Sequence, residues 1–489
     1  MEYQHRLFTA VQPPPFTRPS RNTLFPQLVV YSRLCNRTGR MGRASRPLER
    51  MATPHTPDRA GGGPTTRQML ALWVPLAASI VMMVLEPSII NIGLGRTADP
   101  ELALAAYGVA FGLALLVEAP IIMLLDASVA RSIDREAFAL VRRFTLGLGL
   151  LVTVIGLLVS FTPLYGLIVE NLMNIPPDVA ARARPTTQIL SFWSLPIGWR
   201  RAHQGVLIRA GRTGVITAAT GVRLATLAAG LTVGLLLIPE RGSVVAGLAM
   251  DVSVTLEAAL ITWAARPVLR SEAFQPHPTS DGDPPLTSQA LWRFYRPLLV
   301  TTILRQTTRP LLNAGIAAAT MARASLAAWP VAWGLSVLIS GPAWSLQQLT
   351  TALAADPPAY RRVRNFSMTL SALLTLLMGL VALTPVYDLV MGGVYNLSPA
   401  LQELAQPGVQ IMVISPLIMG AQSLLRGLLI REGCTGAVRA ATTASVFALA
   451  ATLVAGVTLF APTGATLAAV AVMVSSLAEL AWLRWKARC

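Results

Sequence analysis

The most constraining feature of this chain is an internal repeat. At a shift of 222 residues, Pro75–Arg266 matches Pro297–Arg488 almost without gaps. Identical residues recur along the whole repeat, as in the pairs Asn91 and Asn313, Pro120 and Pro342, Gly205 and Gly427, Glu257 and Glu479, and Trp263 and Trp485. The repeat predicts two structurally similar halves. Residues that break it are the better functional candidates, because both halves share the requirements of the scaffold.

The composition places both halves in a lipid bilayer. Of the 489 residues, 53% are hydrophobic and only 13% are charged, and the mean hydropathy is +0.56. This balance excludes a soluble globular protein of the same length. Because a transmembrane helix needs about 20 apolar residues, we predict twelve spans, near residues 69–93, 101–125, 142–162, 185–208, 214–238, 242–264, 292–319, 323–347, 366–386, 406–430, 436–460 and 464–485. An all-α membrane protein is expected, since each helix satisfies its own backbone hydrogen bonds in lipid.

The net charge of +17 comes almost entirely from arginine and reports membrane topology, not nucleic-acid binding. The loop arginines lie mainly in alternate loops, at Arg131 to Arg143, Arg209 and Arg212, Arg266 to Arg296, Arg361 to Arg364, and Arg431 and Arg439. The positive-inside rule therefore places both termini in the cytoplasm, in a cell or inner membrane. Six helices per half return the chain to its starting side. The two six-helix lobes are thus expected to be related by a pseudo-two-fold axis along the membrane normal.

Breaks in hydropathy mark the boundaries of the halves. Residues 69–266 are predicted to form the first lobe and residues 292–489 the second, joined by a polar cytoplasmic linker at 267–291. Residues 1–68 are rich in Pro, Arg, Ser, Thr and Gly, so this arm cannot bury a core and is predicted to be disordered. Two interpretations of the arm stay open: an organelle transit peptide, or an over-extended gene start with Met51 as the true first residue.

The seventh span carries a polar motif that an apolar pass does not need. Arg305, Arg309 and Asn313 recur every four residues, which places them on one helix face, next to Gln306. Pro310 cannot donate a hydrogen bond to the carbonyl of Gln306, which leaves a free acceptor in mid-membrane. A charge near the bilayer centre costs roughly 2.5–3.5 kcal/mol. Two cations beside a kink therefore predict an anion site.

Polar residues of the first two spans are candidate partners of this motif. Glu86 is a candidate counter-ion for Arg305 or Arg309, or else a proton-coupling carboxylate. Glu118 in the second span has the same alternatives, and Asn91 is a candidate substrate ligand. In the structural alternative, one arginine pairs with a carboxylate and only locks the halves together.

The fourth span ends in a second basic cluster. Arg200 and Arg201 are candidate substrate ligands in a cavity, or else they extend to the membrane surface while their stems stay in lipid. His203 is a candidate coupling group, because an imidazole titrates near neutral pH, and a packing role is the alternative. Glu257 and Glu479 are kept in both halves, which favours helix packing or pairing with a neighbouring arginine.

The sequence offers no signal of an enzyme or a metal site. Lys486 is the only lysine, so an internal phosphate-binding P-loop is excluded. The three cysteines and four histidines show no metal-ligand spacing. We therefore predict a monomeric membrane transporter without cofactor or metal. Two alike halves in a membrane are typical of alternating-access transporters, whose substrate path usually runs between them.

Several of these motifs resemble the progressive ankylosis protein family, within the superfamily of multidrug and toxic compound exporters and oligosaccharide-lipid flippases. The clearest is the Arg-Pro-x-x-Asn core from Arg309 to Asn313. Others are Leu104–Leu113, and His203 shortly before Gly205. The resemblance extends over about residues 70–488.

The resemblance implies two six-helix lobes that form a V around a central cavity. It also implies export of a small polyanion such as pyrophosphate, citrate or a nucleotide, with a proton or sodium as candidate coupling ion. Two alternatives stay open. One is a cation-coupled multidrug antiporter or lipid-linked oligosaccharide flippase of the same superfamily, and the other is a non-transporting membrane scaffold or receptor. Central arginines disfavour cationic drugs but are compatible with lipid pyrophosphates.

Overall fold

A computed structural model describes residues 64–271, 274, 286–432 and 434–487. The predicted arm up to residue 63, including Met51, and most of the linker at 267–291 lie outside the described residues. Within them the chain is helical, apart from turns, loops and one isolated bridge between Thr320 and Thr463. The prediction of an all-α architecture is confirmed.

Each half builds the same succession of helices. The first half contains α1 (Thr66–Leu94), α2 (Pro100–Ile122), α3 (Leu124–Arg131), α4 (Arg135–Phe161), α5 (Pro177–Leu190), α6 (Ser194–Arg209), α7 (Thr213–Leu237) and α8 (Gly242–Arg270). The second half contains α9 (Ser288–Gln306), α10 (Thr308–Ala317), α11 (Ala322–Ser340), α12 (Leu346–Leu353), α13 (Pro357–Leu383), α14 (Pro399–Ile411), α15 (Ser415–Arg431), α16 (Thr435–Leu459) and α17 (Gly464–Lys486). Short helical turns lie between them at Leu164–Gly166, Leu167–Leu172, Pro239–Arg241, Gly341–Ser345, Val386–Asp388, Leu389–Val394 and Met412–Ile414.

Equivalent residues set the starts of equivalent helices. Asp134 accepts a hydrogen bond from the backbone N–H of Ala137 at the start of α4 (2.8 Å). Asp356 accepts one from Ala359 at the start of α13 (2.7 Å). Such a carboxylate satisfies an otherwise free N–H and interacts favourably with the helix dipole. Local sequence signals therefore start the same helix in both halves.

Ten helical segments among the described residues are long and apolar enough to cross a membrane. The two other predicted passes, four and seven, are broken and more polar. Residues 191–193 separate α5 from α6, and Thr307 separates α9 from α10. The second break lies where Pro310 removes a helical hydrogen-bond donor. A broken helix is tolerated at membrane depth where it faces protein or a cavity. The ten spans make the chain an integral multi-pass membrane protein.

The first pass of each half packs on the second pass of the other half. Near the membrane side where α1 begins and α17 ends, here called the terminal face, Trp73 Nε1 donates to the Pro342 carbonyl (3.3 Å). The Tyr295 hydroxyl likewise donates to the Pro120 carbonyl. Both donors and both acceptors are related by the shift of 222 residues. The boundary between the halves, formed by α1, α2, α9, α10 and α11, is called the seam below.

Small side chains allow the two second passes to approach each other at the seam. Leu104–Ala106 in α2 and the equivalent Leu326–Ala328 in α11 are all buried. A Cβ atom on Gly108 would lie 2.9 Å from Cγ of Pro330, and these two positions are equivalent in the repeat. Equivalent residues contact each other only near a symmetry axis. The pseudo-two-fold axis therefore passes between α2 and α11.

Candidate substrate site

The first half holds a buried network of charged residues. Glu257 of α8, which is 1% exposed, pairs with Arg200 of α6, and its Oε2 lies 3.2 Å from Nε of Arg223 in α7. Arg223 also pairs with Glu86 of α1. The Thr220 hydroxyl lies 3.0 Å from Glu257 and donates a hydrogen bond to it. Two carboxylates and two guanidinium groups thus neutralise each other, which offsets the cost of removing them from water.

This network corrects one expectation and adds one residue. Glu86 does not pair with Arg305 or Arg309, which was one of the alternatives for it; it pairs with Arg223, because α1 also packs beside α7 of its own half. The sequence analysis missed Arg223, which is 8% exposed in the middle of an apolar helix. The sequence did contain a signal for Arg223, because a charged residue in the middle of an apolar span needs a partner. The predicted pairing of Glu257 with a neighbouring arginine is confirmed.

The second half holds a shorter version of the same network. Glu479 of α17 occupies the position equivalent to Glu257 and accepts a hydrogen bond from Nε of Arg426 in α15 (3.0 Å). The N-half residue equivalent to Arg426 is Gln204, one helical turn after Arg200. The neutralising arginine is therefore displaced by one turn of the fourth pass between the halves.

Arg309 crosses the seam and lies against the first half. Its guanidinium carbon is 5.3 Å from the ring centroid of Phe111 in α2, which is a cation–π contact. Phe111 also stacks on Tyr107, with ring centroids 5.5 Å apart. The equivalent pair of α11, Trp329 and Trp333, stacks at 5.7 Å. One aromatic pair thus lies on each second pass, and Arg309 lies over the first of them.

Three arginines near the seam form no ion pair with any described residue. They are Arg201 of α6, Arg305 of α9 and Arg309 of α10. Arg305 lies within electrostatic reach of the pair formed by Arg426 and Glu479, whose charges already cancel. All three lie on passes four and seven. Positive charge without a fixed counter-ion in mid-membrane attracts an anion.

Asn91 and Asn313 tie the halves together. Asn91 Nδ2 donates to the Pro330 carbonyl (3.0 Å), and Asn313 Nδ2 donates to the Gly108 carbonyl (3.3 Å). The repeat relates these two hydrogen bonds, which makes them a shared feature of the scaffold. A substrate-binding role for either asparagine stays a prediction, as does the role of Gln306, which is half-buried at the end of α9.

Glu118 of α2 is a buried carboxylate without an ion pair or hydrogen bond to any described residue, and only 3% of its surface is exposed. Arg201 of α6 lies within electrostatic reach of it. Nε of Arg201 is itself buried without a hydrogen-bond partner in the described part of the chain. Asp126 of α3 and Tyr295 of α9 lie within electrostatic reach of the same guanidinium. An incompletely neutralised acid and base therefore lie near each other at the seam.

Two cavities occupy equivalent places in the halves. The cavity in the second half, of about 30 Å³, is lined by Ser336, Ser340 and Ser415, with neighbouring hydroxyl oxygens 3.1 Å apart. The cavity in the first half is about 10 Å³ and is lined mainly by apolar side chains, including Ala114. The position equivalent to Ser340 is Glu118. A neutral hydroxyl network thus replaces the isolated carboxylate in the second half.

His203 is buried among aromatic rings. Its Nδ1 lies 2.8 Å from the Trp199 carbonyl, and its ring packs edge-on against Phe138 at a centroid distance of 5.3 Å. These contacts agree with the packing role, and a coupling role stays a prediction. Among the described residues, no group of three His, Cys, Asp or Glu side chains is placed to hold a metal ion.

The fold is similar to solved structures of membrane transporters. An inward-facing multidrug-resistance transporter of the MATE family, in the MOP superfamily, gives a TM-score of 0.63 at 15% identity, covering 84% of this chain and 96% of that chain. The lipid II flippase MurJ in an inward closed conformation gives 0.67 at 12% identity, covering 86% and 88%. A MOP superfamily transporter from Pyrococcus furiosus, with a binding pocket of reverse polarity, gives 0.57 at 13% identity, covering 87% and 98%.

No family model and no curated protein matches the sequence. At identities of 12–15%, the similarity establishes the fold alone. The predicted two-lobe architecture of the superfamily is therefore confirmed. The narrower resemblance to the progressive ankylosis family stays a prediction.

Proposed function

We propose that this protein is an alternating-access secondary transporter that carries a small polyanion between its two lobes. The observation that carries the proposal is the set of three arginines, Arg201, Arg305 and Arg309, that form no ion pair with any described acidic residue. Arg200, Arg223 and Arg426, on neighbouring helices, each pair with a glutamate. The cost of keeping three further cations in a membrane is offset when they bind an anionic substrate.

The placement of these arginines supports transport over a scaffold role. Arg309 belongs to the second half but contacts Phe111 of the first. A group that touches both lobes at their boundary senses relative motion of the lobes, as alternating access requires. The resemblance to the progressive ankylosis family supports export of pyrophosphate, citrate or a nucleotide-like anion. In this proposal both termini face the cytoplasm and the transporter works as a monomer.

The test is flux of labelled pyrophosphate, citrate and ATP in proteoliposomes. Arg309→Ala is expected to lower flux of the preferred anion about tenfold or more, because a hydrogen bond to a charged group contributes about 1.5–3 kcal/mol. Arg96→Ala is the matched control, since among the described residues Arg96 donates only to the Ile92 carbonyl at the end of α1. Equal flux in the wild type and Arg309→Ala, with both proteins folded, contradicts the proposal.

A lipid flippase is the second candidate, supported by the similarity to the lipid II flippase MurJ. The same arginines suit the pyrophosphate of a lipid-linked sugar as well as the free anion. The two functions differ in what crosses the membrane. Translocation of a lipid-linked pyrophosphate without flux of any soluble anion favours the flippase, and the converse favours the polyanion transporter. A cationic drug is the least suitable substrate, because it is repelled by Arg201, Arg305 and Arg309.

A further inference from the structure

We propose that Glu118 takes up a proton when an anion binds at Arg201, so that proton and anion cross the membrane together. The inference rests on the proposed function and deepens it by naming the coupling ion and the direction of coupling. Its basis is the pair of unsatisfied groups at the seam. Glu118 is buried without a partner among the described residues, and Nε of Arg201 is buried without a hydrogen bond there.

Arg201 is the cation on which the charge of Glu118 depends. The charged groups that face Glu118 from the neighbouring helices are Arg200 and Arg201 of α6, Glu86 of α1 and Arg223 of α7. Glu86 and Arg223 pair with each other, and Arg200 pairs with Glu257. Glu86, Arg200, Arg223 and Glu257 together therefore carry no net charge. Arg201 alone is left to stabilise a carboxylate at Glu118.

The remaining neighbours do not compensate for Arg201. The Tyr295 hydroxyl of α9 donates to the Pro120 carbonyl, close to Glu118, and is therefore engaged. Arg309 of α10 lies over the ring of Phe111, about two turns of α2 before Glu118. Asp126 is attracted by the same guanidinium and adds negative charge near Arg201.

An anion on Arg201 changes the balance at Glu118. It neutralises the guanidinium and brings its own negative charge into a buried site, so the ionised carboxylate is destabilised. Glu118 then binds a proton from the aqueous side that supplied the anion, and no bond other than O–H forms. By linkage, a protonated Glu118 strengthens anion binding by the same factor. The transporter therefore moves with both ligands or with neither, and releases both on the other side.

Comparison with the second half supports a functional role for the Glu118 carboxylate. The position equivalent to Glu118 is Ser340, whose hydroxyl donates to the Ser336 carbonyl (2.6 Å) and lies 3.1 Å from the Ser415 hydroxyl. The fold thus builds the same helix with a neutral, hydrogen-bonded residue. Glu86, the other coupling candidate of the sequence, is held by Arg223 and is the weaker choice.

The experiment measures pyrophosphate binding to the purified full chain by calorimetry in two buffers of different protonation enthalpy. The wild type is expected to take up about one proton more per bound anion than Glu118→Gln. As the pH is raised, the Kd of the wild type for pyrophosphate should therefore increase relative to that of the variant, by up to about tenfold per pH unit. Proton exchange by pyrophosphate itself is common to both proteins and cancels. At high pH, Glu118→Gln should bind more tightly than the wild type, since glutamine mimics the protonated acid.

A control and a second variant keep the result interpretable. Asp251→Asn removes another partly buried carboxylate, whose Oδ1 has no described hydrogen-bond partner, and should leave the extra proton in place. Arg201→Gln should abolish the extra proton while the other arginines still bind pyrophosphate. Equal proton uptake by the wild type and Glu118→Gln overturns the inference but leaves the proposed function standing. Absence of binding of pyrophosphate, citrate and ATP alike by the wild type overturns both.

Discussion

The two halves solve the same electrostatic problem with different residues. Glu257 and Glu479 occupy equivalent positions, but the first pairs with Arg200 and Arg223 whereas the second pairs with Arg426. Both halves keep the glutamate at the same position. In the second half its arginine partner lies one helical turn further along the fourth pass, and in the first half a second arginine comes from another helix. A buried glutamate therefore has to be neutralised, but the fold allows the neutralising arginine to come from different positions.

At the seam, the two halves share their hydrogen bonds but not their arginines. Hydrogen bonds from Trp73 and Tyr295 across the seam occur in both halves at equivalent positions. The uncompensated arginines do not: the residues equivalent to Arg305 and Arg309 are Met83 and Pro87. Shared contacts hold the lobes together, and we propose that unshared charges mark the substrate site.

The largest effect on stability is expected for Glu257→Gln. This change leaves Arg200 and Arg223 buried with one carboxylate fewer, and removing one partner of a buried pair costs about 3–5 kcal/mol. Glu479→Gln should cost less, because it frees a single arginine whose side chain is 22% exposed. Thermal unfolding in detergent measures both changes. A larger loss of Tm for Glu479→Gln contradicts the comparison.

Moving the arginine by one turn tests whether the halves are interchangeable. Arg200→Gln should destabilise the first half, and adding Gln204→Arg should recover part of the loss, because it recreates the geometry of Arg426 and Glu479. Interaction energies between contacting residues are about 0.5–3 kcal/mol. Denaturation of the two single variants and the double variant gives this term. Strict additivity would show that Gln204 does not face Glu257.

The cross-half hydrogen bonds should contribute equally in both halves. Asn91→Ala and Asn313→Ala are each expected to cost about 0.5–1.5 kcal/mol, the usual net contribution of one hydrogen bond. Unfolding midpoints compare the two variants. Pyrophosphate affinity should stay unchanged if these residues are only ties. A loss of affinity confined to one variant would instead assign that asparagine to the substrate site.

The smallest effect on stability is expected for the ion pairs of Arg323, on the membrane side opposite the terminal face. Arg323 and Glu101 are equivalent positions with opposite charge, and Arg323 Nε lies 3.1 Å from a Glu101 oxygen. Arg323 also contacts Asp99 and Asp178, at 3.4 and 3.0 Å. Such half-exposed pairs contribute about 0–1 kcal/mol and weaken with salt. Exchanging the two charges should restore only part of what Arg323→Glu loses at low salt, because the acid at position 323 still faces Asp99 and Asp178. A difference that persists in high salt would contradict an electrostatic cause.

Local patterns in the sequence predicted most of the fold and part of the site. Runs of apolar residues predicted the passes, and the polar motif around Arg305 and Arg309 coincides with a broken helix. The spacing of four residues did not reveal that Thr307 divides these arginines between two helices. The pairing of Glu86 could not be predicted either, because Arg223 is 137 residues away in the chain and only packing of α1 against α7 brings them together.

The sequence by itself determined the repeat, the membrane setting, the helical passes and the excess of arginine, because these properties depend on local composition and periodicity. The tertiary structure decided which charges meet. Hydropathy fixes the depth of a residue, but not which way it faces around the helix or which helix lies beside it. At low dielectric the nearest opposite charge dominates. Arg200 and Arg201 are adjacent in the chain, yet Arg200 pairs with Glu257 whereas Arg201 forms no ion pair with any described residue, because neighbours on a helix point about 100° apart.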